Sequence, residues 1–228
     1  MNQLSKKMKK LVLITLIFLT QISNAQVTRN LGDFDAVKVF DRIKIKLIAA
    51  SENKAIVTGN RKDLVQFVNK NGELKIRMPF SQLLAGDDVT VELYFKNLES
   101  ITVTGGSYVT NKADFKQTSL ELIAKSGGEI NLQIDVDKVN VKTSTGGVVV
   151  ISGKATNQDV SITSGGILKA ADLLTDQTKI IVAAGGVAEI NATTLVDVKV
   201  KAGGSVSIYG KPKQINQEVF IGGTIEEK

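Results

Sequence analysis

The sequence contains no cysteine, no histidine and no tryptophan, and it has two prolines among 228 residues. Without cysteine the chain can form neither a disulfide nor a thiolate metal site, so its stability must come from packing and backbone pairing. Without histidine, Ser-His-Asp and Cys-His catalysis are excluded. Any catalysis would depend on Asp, Glu, Lys, Arg or Tyr. We predict that the protein is not an enzyme and binds no metal or other cofactor.

The first 25 residues have the features of a secretory signal peptide. MNQLSKKMKK is basic, LVLITLIFLT is apolar but too short to cross a bilayer, and Ser23–Ala25 has the small-x-small pattern of a cleavage site. We therefore predict that residues 1–25 are cleaved and that no membrane span remains. The alternative is an uncleaved anchor. Export to the periplasm, the outer cell surface or the extracellular space is expected.

Removal of this segment changes the charge of the protein. The segment holds four of the 29 basic residues and no acidic one, so 25 basic and 23 acidic residues remain, a net charge of +2. The remaining Lys and Arg form no clustered patch of the kind that nucleic-acid binding requires. We expect no nucleic-acid partner.

A Gly-Gly pair recurs seven times along the chain. Successive first glycines are separated by 22, 19, 19, 20, 18 and 19 residues. The period indicates a repeat architecture. The pairs are Gly105 and Gly106, Gly127 and Gly128, Gly146 and Gly147, Gly165 and Gly166, Gly185 and Gly186, Gly203 and Gly204, and Gly222 and Gly223.

Apolar residues alternate with mostly polar ones on both sides of each pair, as in Val141/Thr143 before Gly146 and Val149/Ile151 after it. This period of two is typical of strands with one buried face. Units of about 19 residues are too small to fold alone, and stacking them would build a continuous core. The sequence predicts an all-β fold, a parallel β-solenoid with rungs of about 19 residues. An antiparallel sandwich is the alternative, but it would not repeat the pair at one phase.

Residues 26–228 are predicted to form a single solenoid domain. Residues 26–100 alternate less regularly and are expected to form irregular opening rungs or a cap, whereas 101–228 carry the regular repeats. We interpret the glycines as structural corners, because a sharp turn requires positive φ and a stacked corner leaves no room for a side chain.

The residues four positions before each first glycine are expected to face outward, together with Val109 and Val150 on the strands that follow. They suggest a flat, mixed face suited to another strand surface or an extended glycan. The outward series is Ile101, Ile123, Lys142, Ser161, Ile181 and Lys199.

Other chemistries fit the sequence poorly. The glycines match no phosphate loop, since Lys211 in GSVSIYGKP is followed by Pro, and no calcium-binding repeat of period nine is present. Adjacent Asp87 and Asp88 would point to opposite faces of a strand, and Asp135 and Asp137 lie in a connector. We interpret these acids as solvated surface charge.

Three segments resemble a known family. RNLGDFDAVKVFDRIKIKL, NGELKIRM and the following Thr/Ser-Gly-Gly units resemble the family described as "putative auto-transporter adhesin, head GIN domain", exported proteins common in Bacteroidetes. The resemblance covers roughly residues 29 to 210. It implies a right-handed single-stranded β-helix in the cell envelope with a role in adhesion, and it brings no catalytic residues.

We therefore hypothesise an exported binding or adhesion-type protein of the cell envelope or cell surface that presents a rigid wall to an extracellular polysaccharide or a surface protein. No ligand-binding residue can be named from the sequence. Two alternatives are a polysaccharide-modifying enzyme that uses carboxylates on the wall, and a structural envelope protein that assembles end to end as a homo-oligomer.

Overall fold

The computed structural model describes residues 26–111, 113 and 115–228. The predicted signal peptide therefore lies outside the described residues. Within them the chain forms eighteen β-strands and two short 3₁₀ turns, at Lys62–Leu64 and Phe80–Gln82. None of these residues belongs to a helix with the length and apolar character needed to cross a bilayer.

The strands follow one another with short connections. They are β1 (Val27–Asn30), β2 (Ala36–Val39), β3 (Lys44–Ala49), β4 (Lys54–Thr58), β5 (Gln66–Lys70), β6 (Glu73–Arg77), β7 (Thr90–Phe95), β8 (Ser100–Val103), β9 (Tyr108–Asn111), β10 (Phe115–Lys125), β11 (Glu129–Ser144), β12 (Val148–Ile162), β13 (Ile167–Lys169), β14 (Leu173–Val182), β15 (Val187–Ala202), β16 (Ser205–Tyr209), β17 (Gln214–Ile221) and β18 (Thr224–Glu227).

Strands that run into a Gly-Gly corner stack on one another and form the leading wall, and strands that leave a corner form the trailing wall. On the leading wall Val141 pairs with Val160, and Ile180 with Val198, in parallel register. The long strands β11, β12 and β15 contribute to both walls, because each leaves one corner and runs into the next. The predicted parallel β-solenoid with rungs of about 19 residues is confirmed.

The interior is built from columns of aliphatic side chains, one per rung. The inward residues predicted around the corners are buried throughout the regular rungs. Each such burial contributes roughly 1.5–3 kcal/mol, so successive rungs stabilise one another. The leading-wall column contains Leu122, Val141, Val160, Ile180 and Val198, and the trailing-wall column contains Ile130, Val149, Leu168, Ala188 and Val206.

One inward column contains polar residues. Gln158 stacks on Val139 on one side and on Thr178 on the other, and both polar side chains are buried. Thr178 Oγ1 donates a hydrogen bond to Gln158 Oε1 at 3.2 Å, and the Thr175 and Thr178 hydroxyls are 2.9 Å apart. These bonds satisfy most of the polar atoms that burial removes from water.

The opening rungs do not stack in chain order. β2 lies between β6 and β8, and β3 lies between β7 and β9, all in parallel pairing. The rung at residues 73–95 is thus stacked outside the rung at 36–49. β4 covers β7, β1 covers β4, and β5 covers β6, and these three pairings are antiparallel. The chain thereby closes this end of the solenoid with reversed strands.

Candidate ligand-binding wall

The two glycines of a corner have different structural roles. At four successive corners the first glycine and the residue before it both have positive φ, as with Thr145 at 50° and Gly146 at 69°. The N–H of Gly147 donates to the carbonyl of Ser144 at 2.9 Å and closes the turn. Two consecutive left-handed residues are typical of type I′ turns, which favour glycine at the second position.

The second glycine is required by close approach to the preceding rung. A Cβ on Gly147 would lie 2.1 Å from the carbonyl oxygen of Ala124, and one on Gly128 would lie 2.4 Å from that of Val103. A Cβ on Gly146 would meet nothing within 4 Å. We expected that neither glycine of a pair would have room for a side chain. At these corners the second glycine lacks that room, whereas the first is required for its backbone conformation.

The corner at Gly105 is displaced by one residue. Gly105 and Gly106 both have positive φ, and the pairing register places Ser107 where later corners have their second glycine. Ile101 and Val109 consequently point inward and are 0% exposed. The expectation that these two face outward is wrong, because the seven pairs do not share a single phase. The remaining corners, Gly165 and Gly166, Gly185 and Gly186, Gly203 and Gly204, and Gly222 and Gly223, keep the later register.

A shallow groove of about 530 Å³ lies on the outer face of the leading wall and crosses four rungs. We call it the wall groove. Its outward side chains come from equivalent positions of β10, β11, β12 and β14, so their spacing follows the strand separation of about 4.8 Å. Val141 and Val160 also border the groove, although their side chains are buried in the interior. The groove is lined by Glu121, Asn140, Val141, Lys142, Asp159, Val160, Ser161, Lys179 and Ile181.

Two acids of the wall groove are paired with lysines on neighbouring rungs. Lys142 Nζ lies 2.9 Å from Glu121 Oε1, and the Ser100 hydroxyl donates to the other oxygen of Glu121 at 3.2 Å. The hydrogen bond from Lys142 lowers the pKa of Glu121, against the opposing effect of burial. Lys138 Nζ lies 2.7 Å from Asp159 Oδ2. The groove therefore presents fixed, ionised hydrogen-bonding groups.

The acids considered in the sequence lie elsewhere. Asp88 binds Arg61 at 3.1 Å beside the opening rungs, and Asp135 binds Lys116 on the adjacent rung at 3.3 Å. Asp135 and Asp137 are both exposed and lie outside the wall groove. The expectation that they lie in a connector is wrong, because β11 continues through them. The described residues contain no group of three or more acidic side chains placed to hold a metal ion.

Sequence reasoning did not single out the polar column of the wall groove. Every regular unit has a polar or charged residue six positions before its first glycine. This recurrence is the sequence feature from which the column could have been predicted. Four of these residues line the groove. The column comprises Glu121, Asn140, Asp159, Lys179, Asp197 and Asn216.

The fold and the leading wall together define a parallel β-solenoid with an open, polar outer face on that wall. A family model for "putative auto-transporter adhesin, head GIN domain" matches residues 33–212. The chain belongs to this family, which confirms the resemblance noted in the sequence. No curated protein matches the chain at a significant level.

Solved structures share the fold. A "putative adhesin" from Bacteroides fragilis NCTC 9343 has 20% sequence identity and a TM-score of 0.81, covering 90% of this chain and 98% of the other. A "putative adhesin" from Parabacteroides merdae ATCC 43184 has 18% identity and a TM-score of 0.68, covering 90% and 95%. A "putative lipid binding protein" from Parabacteroides distasonis ATCC 8503 has 15% identity and a TM-score of 0.67, covering 90% and 96%.

Proposed function

We propose that the protein is an exported, adhesion-type binding protein of the cell envelope or cell surface, and that its wall groove binds an extended extracellular polysaccharide. The observation that carries the proposal is the polar column that recurs at one outward position in consecutive rungs. A polymer lying along the stack meets a new set of hydrogen-bonding groups at every rung. Many weak contacts can then act together, as in multivalent binding.

The chemistry of the groove suits neutral or mixed-charge glycans. Asn140 and Ser161 supply hydrogen-bonding groups, while Glu121, Lys142, Asp159 and Lys179 supply charges of both signs. Pairing of Lys142 with Glu121 holds both side chains in place before a ligand arrives. Fewer rotamers are then lost on binding, which lowers the entropic cost of association.

A polysaccharide-modifying enzyme is the second candidate, because the groove brings acids and lysines from adjacent rungs together. A glycosidase needs one carboxyl group whose pKa is raised so that it can donate a proton. The hydrogen bond from Lys142 lowers the pKa of Glu121, which is opposite to the shift that such an acid requires. The binding function is therefore favoured.

Purified, exported protein should be screened on a glycan and matrix-protein array, and each hit retested with two matched variants. Lys179→Ala removes an exposed lysine from the wall groove, whereas Lys44→Ala removes an exposed lysine from the trailing wall. We expect Lys179→Ala to weaken glycan binding several-fold and Lys44→Ala to leave it unchanged. Equal binding by both variants would place the ligand elsewhere.

Two further measurements separate the alternatives. Protease treatment of intact cells should remove the protein if it is exposed at the surface, and full protection would rule out a surface adhesin. Incubation with every bound glycan should leave the glycan intact. Release of shortened or unsaturated products would instead establish the enzyme.

A further inference from the structure

The trailing wall carries an aliphatic strip on its outer face. Val148, Ile167 and Val187 occupy one outward column on three successive rungs, and they pair directly in register. Val187 is 42% exposed, and Val150 extends the strip into the next outward column. The leading wall has a polar residue at the corresponding recurring position, so the two walls differ in chemistry.

Two opposite charges lie beside the strip. Lys169 pairs in register with Glu189 on the adjacent rung, in the same outward column as Val150. On the leading wall, charges on adjacent rungs bind each other, as Glu121 and Lys142 do. Neither Lys169 nor Glu189 takes part in an ion pair within residues 26–111, 113 and 115–228.

We propose that the trailing wall docks against the same wall of a second copy of this chain. A two-fold axis that lies in the interface, parallel to the strands and between the rungs of Ile167 and Val187, makes the surface self-complementary. Under this operation Ile167 faces the second copy's Val187. Lys169 faces the second copy's Glu189, and the reverse contact forms at the same time. Isologous contacts of this kind are the commonest in homo-oligomers.

Charge complementarity favours a second copy of this chain over a different partner. A partner must bring an acid opposite Lys169 and a base opposite Glu189 at the spacing of one rung, and the identical wall does so after a two-fold rotation. Two β-sheets can pack face to face about 10 Å apart, with their outward side chains interdigitated. The wall groove lies on the leading wall and shares no residue with this contact, and the inference does not depend on the proposed function.

Sedimentation velocity of the full exported protein over a wide concentration range tests the proposal. We expect a reversible monomer–dimer equilibrium. Lys169→Glu places acids opposite Glu189, and Glu189→Lys places bases opposite Lys169, so each should weaken dimerisation at least about tenfold. The double variant Lys169→Glu/Glu189→Lys restores opposite charges across the interface and should dimerise like the original protein.

Val187→Lys tests the aliphatic strip, with Leu174→Lys as its matched control. Leu174 is also an exposed aliphatic residue, at 51%, but it lies near the start of β14, outside the strip. Val187→Lys should be monomeric and Leu174→Lys should dimerise, and circular dichroism should show both to be folded. A protein that stays monomeric at all concentrations, or a charge swap that fails to restore the dimer, would overturn the proposal. So would larger open-ended assemblies, which would indicate end-to-end contacts.

Discussion

The regular stack and the opening rungs use the same kind of strand in different orders. From β10 onward each rung rests on the rung before it in the chain, and the strands are parallel. In the opening region the rung at residues 73–95 is placed outside the rung at 36–49, and antiparallel strands cover it. The regular stack is therefore held by local, repeated contacts, whereas the opening region depends on a few non-local ones.

The largest expected loss of stability comes from a substitution at a Gly-Gly corner of the regular stack. Gly147→Ala would place a Cβ 2.1 Å from the carbonyl oxygen of Ala124, so the rungs must move apart. We expect a loss of about 3 kcal/mol or more in the free energy of unfolding. Its matched control is Gly146→Ala, which has free space but a φ of 69° and should lose only about 1–2 kcal/mol. Chemical denaturation measures both, and equal losses would contradict the division of roles.

The next largest loss of stability is expected from substitutions of Asp41 in the opening region. The carboxylate of Asp41 is buried and accepts hydrogen bonds from the N–H of Met78 at 3.0 Å and of Leu84 at 3.4 Å, joining the inner rung to the outer one. Asp41→Ala should cost about 2 kcal/mol, because two backbone donors lose a charged acceptor. Asp41→Asn keeps an acceptor and tolerates the positive φ at this position, so it should cost less.

Hydrogen exchange locates the effect of Asp41→Ala. We expect faster exchange in β6 and β7, while the amides of β12 and β14 stay protected. Uniformly faster exchange along the whole chain would show that the opening region and the regular stack unfold as one unit.

A smaller effect tests whether the regular stack needs the buried polar residues Gln158 and Thr178 in its interior. Thr178→Val removes the donor to Gln158 Oε1 and should cost about 1–2 kcal/mol. The double variant Gln158→Leu/Thr178→Val replaces both partners by apolar residues and should lie within about 1 kcal/mol of the original protein. Thermal unfolding of the two variants gives the comparison. A double variant less stable than Thr178→Val alone would mean that the buried polar pair is required for packing.

The smallest effect concerns the ion pair on the leading wall. The folded-state pKa of Glu121 lies below the ordinary value of 4.5, chiefly because of the hydrogen bond from Lys142. The stabilisation is therefore present above the unfolded-state pKa and is lost as the pH falls through the folded-state pKa. Lys142→Met should reduce stability at neutral pH by less than about 1 kcal/mol, since the pair is partly exposed. The difference should vanish in acid, and a difference that persists there would have another cause.

The sequence was sufficient to predict the regular stack, because strand, corner and strand recur within about 19 residues and their alternation marks the inward side chains. It was not sufficient for the order of the opening rungs. Alternation in β2, β6 and β8 identifies strands but carries no information about which strand stacks on which. The displaced corner at Gly105 was also missed, since a glycine pair looks the same when its phase shifts by one residue. The pairing of Leu122 with Ile101 and of Ile130 with Val109 reveals the shift.

The wall groove was missed for a related reason. Its polar column was visible in the repeat alignment, but polar outward residues are the ordinary condition of an exposed strand. What distinguishes Glu121, Asn140, Asp159 and Lys179 is that they line one groove across consecutive rungs. That arrangement depends on side-chain conformations and on the shape of the wall, which the period alone does not specify.

The corner hydrogen bonds have a mechanical consequence. Val148 donates to the carbonyl of Gly128, and Ile167 to that of Gly147, so these bonds run along the long axis of the molecule. Tension that pulls two rungs apart is shared by every bond between them at once. A force applied to one strand of the last rung would instead load those bonds one after another and peel the strand away. Resistance to force should therefore depend on the direction of pulling. The stack should withstand a larger force when it is applied to whole rungs than when it is applied to the terminal strand alone.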